Sequence, residues 1–229
     1  MELSLARPKR WTLLGLVCLG VVSAGAVGVA ASRSAASRDT EAVTDVVEGA
    51  LMARQQIGAV DALFKEPTKN AEERDAGVYE IATHPALAYL PEELVSSTLS
   101  LGEDRLRKYF TGEELADELK VNERMADSYT PMISDSPVKL GQTDTDSYVI
   151  DGGADQFSYT SVEIEDNAAS VAGSARIWLS GAMIDSDAGQ VQLVNPSNLI
   201  DFTAHLVATD GSDWKIDKFS WSFAPGSEP

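Results

Sequence analysis

The apolar residues of this chain change their spacing once, and the change separates a helical part from a strand-rich part. From Asp39 they recur every three or four positions, which is the spacing of one face of an amphipathic helix. We expect this helix to run to about Phe64 with an interruption near Gly58, and Pro67 to end it. The stretch Val78 to Leu90 is predicted to be a short helix.

Two further helices are indicated by pairs of a hydroxyl residue and a glutamate three positions later. In such a capping box each side chain bonds a backbone N–H that the start of a helix leaves without a partner. The two pairs are Ser100 with Glu103 and Thr111 with Glu114. The helices that they predict are Leu101–Phe110 and Gly112–Tyr129.

Beyond Pro137 apolar and polar residues alternate, which is the period of strands with one buried face. The predicted strands are Tyr148–Asp151, Phe157–Ile164, Ser170–Ile184, Val191–Val194, Leu199–Thr209 and Trp214–Phe223. In the last strand the apolar residues change parity, so a β-bulge near Asp217 and Lys218 is needed to keep one face buried. Helices followed by hairpin-connected strands predict an α+β fold, in which helices pack on a curved antiparallel sheet.

An uncharged segment precedes this predicted domain. Trp11 to Ser32 comprises 22 residues between Arg10 and Arg33, and as a helix it would be about 33 Å long, enough to cross a hydrocarbon core of about 30 Å. The basic residues before it predict a cytoplasmic N-terminus and a single-pass cell-membrane protein with its C-terminal domain outside the cytoplasm. The expected parts are a cytoplasmic segment 1–10, an anchor 11–32, a linker 33–38, an exported domain 39–224 and a disordered tail 225–229.

Two properties of the apolar segment stay open. Ala24, Gly25 and Ala26 also fit a signal peptidase site, so the segment is either an uncleaved anchor or a cleaved secretory signal. Its length favours the anchor, because the apolar core of a signal peptide has roughly 7 to 15 residues. Gly20, Ala24 and Gly28 stack on one helix face, where they form either a packing seam for a homo-oligomer or only the small residues common in spanning helices.

The composition is strongly acidic. The chain has 18 Lys plus Arg and 36 Asp plus Glu, a formal net charge of −18. An acidic domain repels phosphate backbones, so nucleic-acid binding is not expected. One cysteine and two histidines exclude a disulfide framework and a Cys/His zinc site. The aspartate clusters lack the spacing of a calcium loop and are expected in turns, so no metal and no cofactor are predicted.

Few residues are candidates for chemistry. His205 shares the parity of the polar residues in its strand, so we expect it to face outward rather than act as a general base, and His84 is expected in a loop. No catalytic residue is predicted. The aromatic residues of the sheet, among them Phe157 and Trp221, either fill the core or line an apolar pocket. The candidate ligand-binding residues are Tyr159, Trp178 and Trp214.

Two hairpins in the strand-rich part of the chain carry a further pattern of residues. Phe202 to Thr209 leads into Asp210-Gly211 and then Trp214 to Asp217, and an earlier hairpin spans Val162 to Ala168. Helices followed by such a sheet resemble the nuclear transport factor 2-like superfamily, and the apolar N-terminal segment adds a similarity to its single-pass bacterial accessory proteins, the Mce-associated and VirB8-like membrane proteins. The resemblance implies a cone of helices against a concave sheet. In many members an early strand interrupts the helices, and Val78 to Ile81 would be that strand.

The membrane segment and the lack of converging catalytic groups predict a non-enzymatic, membrane-tethered accessory or scaffold protein. Its acidic exported domain is expected to dock partner proteins of a bacterial envelope. The alternative is a module that binds a small apolar ligand in the cone, or an isomerase-like enzyme that acts there. An open cone with an inward polar group would favour the alternative, whereas a filled cone would exclude it.

Overall fold

The computed structural model describes residues 23–60, 78–80, 90, 92–129, 147–185, 187–209 and 213–227. The chain divides into two compact units, residues 1–38 and 39–229. The described elements combine helices with an antiparallel sheet, which confirms the predicted α+β class. The helices are α1 Ser23–Gln55, α2 Glu92–Tyr109 and α3 Gly112–Tyr129, and the strands are β1 Val78–Glu80, β2 Ser147–Glu165, β3 Ala168–Asp185, β4 Gln190–Val194, β5 Ser197–Ala208 and β6 Trp214–Phe223.

Strand β3 is the centre of the sheet. β2 pairs with it along one side. On the other side β4 and β5 follow one another, with Val194 opposite Gly181 and Ser197 opposite Trp178. β1 pairs with β4 and β6 pairs with β5, and every pairing is antiparallel. β4 and β5 pair with different parts of the same side of β3. The outer strands β1 and β6, which pair with β4 and β5, therefore lie next to different parts of β3's length.

The main core lies between α1 and one face of the sheet. The predicted three- and four-residue spacing holds in α1, whose buried residues include Val43, Val47, Ala50 and Leu51. They belong to one cluster with alternate residues of β3 and β5, among them Val171, Ala175, Ile200 and Leu206. His205, on the opposite parity of β5, is exposed, as predicted.

The predicted interruption of the first helix near Gly58 is confirmed, whereas the predicted short helix after it is wrong where the structure describes it. α1 ends at Gln55, and Gly58 follows in the left-handed region at φ 73°. The predicted end near Phe64 lies outside the described residues. Val78–Glu80 is a strand, because β4 offers it an antiparallel partner that no local pattern reveals. It occupies the place of the early strand that the family resemblance implies. Residues 81–89, including His84, lie outside the described residues.

The Ser100 and Glu103 capping box does not start a helix. α2 already begins at Glu92, so both residues lie inside it. Glu103 instead forms an i,i+4 ion pair with Arg107, with 2.6 Å between Oε1 and Nη2. A hydroxyl residue followed three positions later by a glutamate therefore also occurs inside a helix, and there the pair does not mark where the helix begins.

The second predicted start is confirmed, although its glutamate has a different role. The N–H of Leu115 donates to the carbonyl of Thr111 at 3.1 Å, next to Gly112, where α3 begins. The Glu114 carboxylate does not reach back to the cap. It accepts a hydrogen bond from the N–H of Phe219 in β6 at 3.1 Å and so ties α3 to the edge of the sheet.

The predicted β-bulge in the last strand is confirmed. Asp217 is the extra residue, since its neighbours Ile216 and Lys218 pair with consecutive residues of β5. Ile216 and Phe219 therefore both contribute to the core cluster, although they differ in parity. The two predicted strands before β3 are parts of one strand, β2, whose register shifts at three places.

The predicted anchor lies largely outside the described residues. Trp11 to Val22 is not described, and neither are the side chains of Ala24 and Gly28. Within the portion of the chain that is described, no helix is long and apolar enough to cross a membrane. The anchor and the Gly20, Ala24 and Gly28 seam stay predictions.

Candidate functional site

A cavity of about 200 Å³ opens between the end of α1, the middle of α3 and the sheet. We call it the α1–α3 pocket. Most of its wall is apolar, and one aromatic residue of β6 borders it. The apolar lining comes from Ile57, Val121, Met125, Val149, Leu179 and Trp221. Two charged side chains, Arg54 and Glu118, also line it, so charge and apolar contact converge there.

Arg54 and Glu118 form an ion pair with 3.0 Å between Nε and Oε1. The Glu118 side chain is 4% exposed and that of Arg54 is 21% exposed. Oε2 of Glu118 is buried and has no hydrogen-bond partner in the described structure. A buried carboxylate oxygen without a donor costs about 1–3 kcal/mol or more, because water no longer solvates it. Only one of the two oxygens of the Glu118 carboxylate therefore has a partner in the described structure.

Burial changes the pKa of Glu118. Desolvation raises its pKa above the ordinary value, the Arg54 guanidinium opposes this, and the carboxylates of Glu114 and Asp117 add to it. The neutral acid is thus favoured more strongly here than in water.

Glu118 lies on the buried side of α3 because of its helical position. It comes three residues after Leu115 and four before Asn122, so the three share one face. Asn122 is buried as well and donates from Nδ2 to the carbonyl of Leu99 at 2.9 Å. Polar residues at positions where the helical period expects apolar ones are the signal in the sequence that indicates these two buried side chains.

Aromatic side chains fill the inner face of the sheet beside the pocket. Phe202 contacts Tyr159 edge-on, with 6.2 Å between ring centroids, and stacks on Phe219 at the same separation. The guanidinium of Arg54 lies over the Phe219 ring at 5.1 Å. Tyr159 also donates to Oε1 of Glu48 in α1 at 2.9 Å. This row packs against the core under α1, in the place that the cone resemblance assigned to a possible ligand.

The structure does not bring Tyr159, Trp178 and Trp214 together at the α1–α3 pocket. Tyr159 belongs to the aromatic row, and Trp214 is buried in the core cluster. The Trp178 ring packs over Gly153 of β2, where a Cβ would come within 2.6 Å of Cζ2. Trp221, another member of the predicted aromatic set, does line the pocket and is 40% exposed. Ligand binding by the three candidates stays a prediction.

A second cavity, of about 180 Å³, lies at the bulge of β6. His205, Asp217 and Lys218 border it, and Oδ1 of Asp217 has no hydrogen-bond partner in the described residues. The rest of its wall comes from Ala168, Ala169, Leu206 and Val207. Within the described ranges no three His, Cys, Asp or Glu side chains come close enough to hold a metal ion.

The raised pKa of Glu118 predicts a pH-dependent difference between the wild-type chain and Glu118→Gln. A carboxyl with a raised folded pKa stabilises the fold below its unfolded pKa, and that contribution is lost as pH rises through the folded pKa. We therefore expect the unfolding free energy of the wild type, relative to Glu118→Gln, to increase as pH falls from 7 toward about 4.3, the ordinary glutamate pKa. Urea unfolding at several pH values measures it. A difference that stays constant or shrinks toward low pH would contradict the raised pKa.

Comparisons with known proteins leave the chain without an assigned family. No family model matches it, and no curated protein matches it. A solved structure described as the intermembrane space region of the chloroplast protein ARC6 is 13% identical, with a TM-score of 0.39, and the match covers 69% of this chain and all of that one. The resemblance to the nuclear transport factor 2-like superfamily therefore rests on the pattern of strands and turns alone.

Proposed function

We propose that the chain is a membrane-tethered accessory protein whose acidic folded unit docks protein partners outside the cytoplasm, without catalysis of its own. The observation that carries the proposal is the filled inner face of the sheet. α1 and the aromatic row of Phe157, Tyr159, Phe202 and Phe219 pack there as one core. A fold of this type that served a small substrate would keep that space open.

The remaining volume supports the same conclusion. Pockets for drug-sized ligands have about 300–1,000 Å³, whereas the α1–α3 pocket has about 200 Å³. His205 lies outside it and is exposed. Trp221 remains 40% exposed at the rim of the pocket, and large, half-exposed aromatic residues are the side chains that protein interfaces most often use as anchors.

The tether is part of the proposal and rests on the N-terminal sequence. Trp11 to Ser32 contains no formal charge, and each charge at the centre of a bilayer costs about 2.5–3.5 kcal/mol on insertion scales. The early strand β1, the helices and the antiparallel sheet agree in order with the nuclear transport factor 2-like resemblance, so we include that fold family in the proposal.

Photo-cross-linking in intact cells tests the docking function. With p-benzoylphenylalanine in place of Trp221, we expect covalent adducts with other membrane-fraction proteins. The matched control carries the same group at Ser222, the next residue of β6, which is exposed on the opposite parity. The proposal predicts adducts at position 221 that are several-fold more abundant than at 222. Equal yields at both positions, or a chain recovered only as an uncross-linked monomer, would contradict it.

A ligand-binding or isomerase-like function is the second candidate, because Glu118 lines the pocket and its pKa is raised. A carboxyl with a raised pKa is suited to proton transfer near neutral pH. The ion pair of Oε1 with Arg54 weighs against it, since this oxygen is already held by a cation. Proton exchange catalysed on a small carbonyl compound, lost in Glu118→Gln, would favour this candidate over docking.

A further inference from the structure

We infer that the α1–α3 pocket is the receptor for one basic side chain, a lysine or an arginine, of a protein partner. The inference rests on the proposed docking function and names the chemistry of its anchor. Three features of the pocket carry it: a half-satisfied carboxylate, an acidic surrounding and an aromatic rim.

The carboxylate of Glu118 has capacity for another donor. Oε1 is paired with Arg54, and Oε2 has no partner among the described residues. The terminal torsion of a glutamate is broad, so rotation about it gives Oε2 a route to the pocket that the residue already lines. A cationic N–H donor would then complete the carboxylate with a charge-assisted hydrogen bond, which is about twice as strong as a neutral one.

The charge around the pocket favours a cation over an anion. Arg54 balances Glu118, but the carboxylates of Glu114 and Asp117 also act on Glu118. Asp117 is paired with Lys120 at the surface, and Glu114 accepts from the backbone of β6 rather than from a cation. The Glu114 carboxylate, which acts on Glu118, is therefore without a basic partner in the described structure. The net charge of −18 for the whole chain acts in the same direction over longer distances.

The shape of the pocket matches a long basic side chain. Val121, Met125 and Leu179 provide an apolar wall for the methylene stem, which lysine and arginine bury while the charged end reaches a polar group. Trp221 offers an aromatic ring at the rim, and cations are attracted to the faces of such rings. A cavity of about 200 Å³ admits one such side chain, although it is small for a drug-sized ligand.

Binding of butylguanidinium to the full chain in detergent tests the chemistry of the pocket. Ligand-observed NMR gives its affinity, and butylurea, of similar shape but uncharged, is the matched ligand. We expect butylguanidinium to bind at least tenfold more tightly than butylurea. Equal affinity for the two, or tighter binding of butyrate than of butylguanidinium, would overturn the inference.

Two variants locate the binding, and a third is the control. Glu118→Gln is expected to weaken the binding of butylguanidinium at least tenfold. Trp221→Ala is expected to weaken it at least fivefold. Glu123→Gln, the same chemical change at an exposed position of α3, is expected to stay within twofold of the wild type. Because the Trp221 side chain is 40% exposed, its replacement is expected to leave the fold intact. Trp221→Ala therefore still tests the site if Glu118→Gln does not fold. Unchanged binding in a folded Trp221→Ala or Glu118→Gln chain would overturn the site.

Cross-linking separates a failure of this inference from a failure of docking. If a partner occupies the pocket through a basic side chain, Glu118→Gln reduces adducts at position 221 at least fivefold. Adducts that persist in Glu118→Gln would overturn the basic anchor and leave docking supported. Binding of butylguanidinium without any adduct at position 221 would assign the pocket to a free small cation and overturn the protein partner.

Discussion

Replacing Gly152 with alanine is expected to lower the free energy of unfolding by about 3 kcal/mol, the upper range for overpacking a core. Gly152 lies in β2 where the sheet meets the end of α1. A Cβ there would collide with the backbone carbonyl of Gln55 and would lie 2.9 Å from Cδ2 of Leu179. A backbone carbonyl cannot rotate away as a side chain can, so α1 or β2 would have to move. Urea unfolding of the full chain measures the loss.

Gly181→Ala is the matched control for this prediction. Gly181 also lies in a strand of the same sheet, but its added Cβ would meet the carbonyl oxygen of Tyr148 at 3.2 Å and Cγ2 of Val194 at 3.6 Å. Small shifts relieve such contacts, so the expected loss is below about 1 kcal/mol. Equal losses in the two variants would show that the approach of α1 to β2 is not the cause.

Replacing Tyr129 with phenylalanine is expected to lower the free energy of unfolding by about 2–4 kcal/mol, because it removes two hydrogen bonds in a buried place. The Tyr129 hydroxyl donates to the carbonyl of Gly58 at 2.9 Å and accepts from the N–H of Val149 at 3.0 Å. Burial raises the pKa of Tyr129 to about 12, so the hydroxyl keeps its proton at neutral pH. Phenylalanine would leave a buried donor and a buried acceptor without partners.

Tyr109→Phe provides the comparison for Tyr129→Phe. Tyr109 lies at the end of α2, where its ring contacts Nζ of Lys108 at 4.9 Å from the centroid. No hydrogen bond of its hydroxyl is found in the described part of the chain. Its replacement should change the unfolding free energy by less than about 0.5 kcal/mol. A similar loss in both variants would mean that the ring, and not the hydroxyl of Tyr129, carries the stability.

These two sites each contact residues that line the α1–α3 pocket. Gly152 allows β2 to approach Gln55, a pocket residue, and Tyr129 joins the end of α3 to the segment after α1. A loss of stability at either site is expected to widen or collapse the pocket. Binding measurements on pocket variants therefore need folded chains, which the unfolding curves identify.

The sequence by itself determined the features that depend on neighbours along the chain. Alternation of apolar and polar residues predicted the strands of the sheet, and the change of parity in β6 predicted the bulge at Asp217. The same alternation placed His205 on the exposed face. These predictions succeeded because a strand has a strict period of two, so a buried face leaves a regular mark in the sequence.

Only the tertiary structure decided which distant residues meet. Val78–Glu80 became a strand through its pairing with β4, and Ser100 lies inside α2 rather than at its start. Glu118 reads as one more acidic residue of an acidic helix, yet contact with α1 buries it against Arg54. The physical reason is that burial and pairing depend on long-range packing, whereas a sequence pattern reports only the period of a single element.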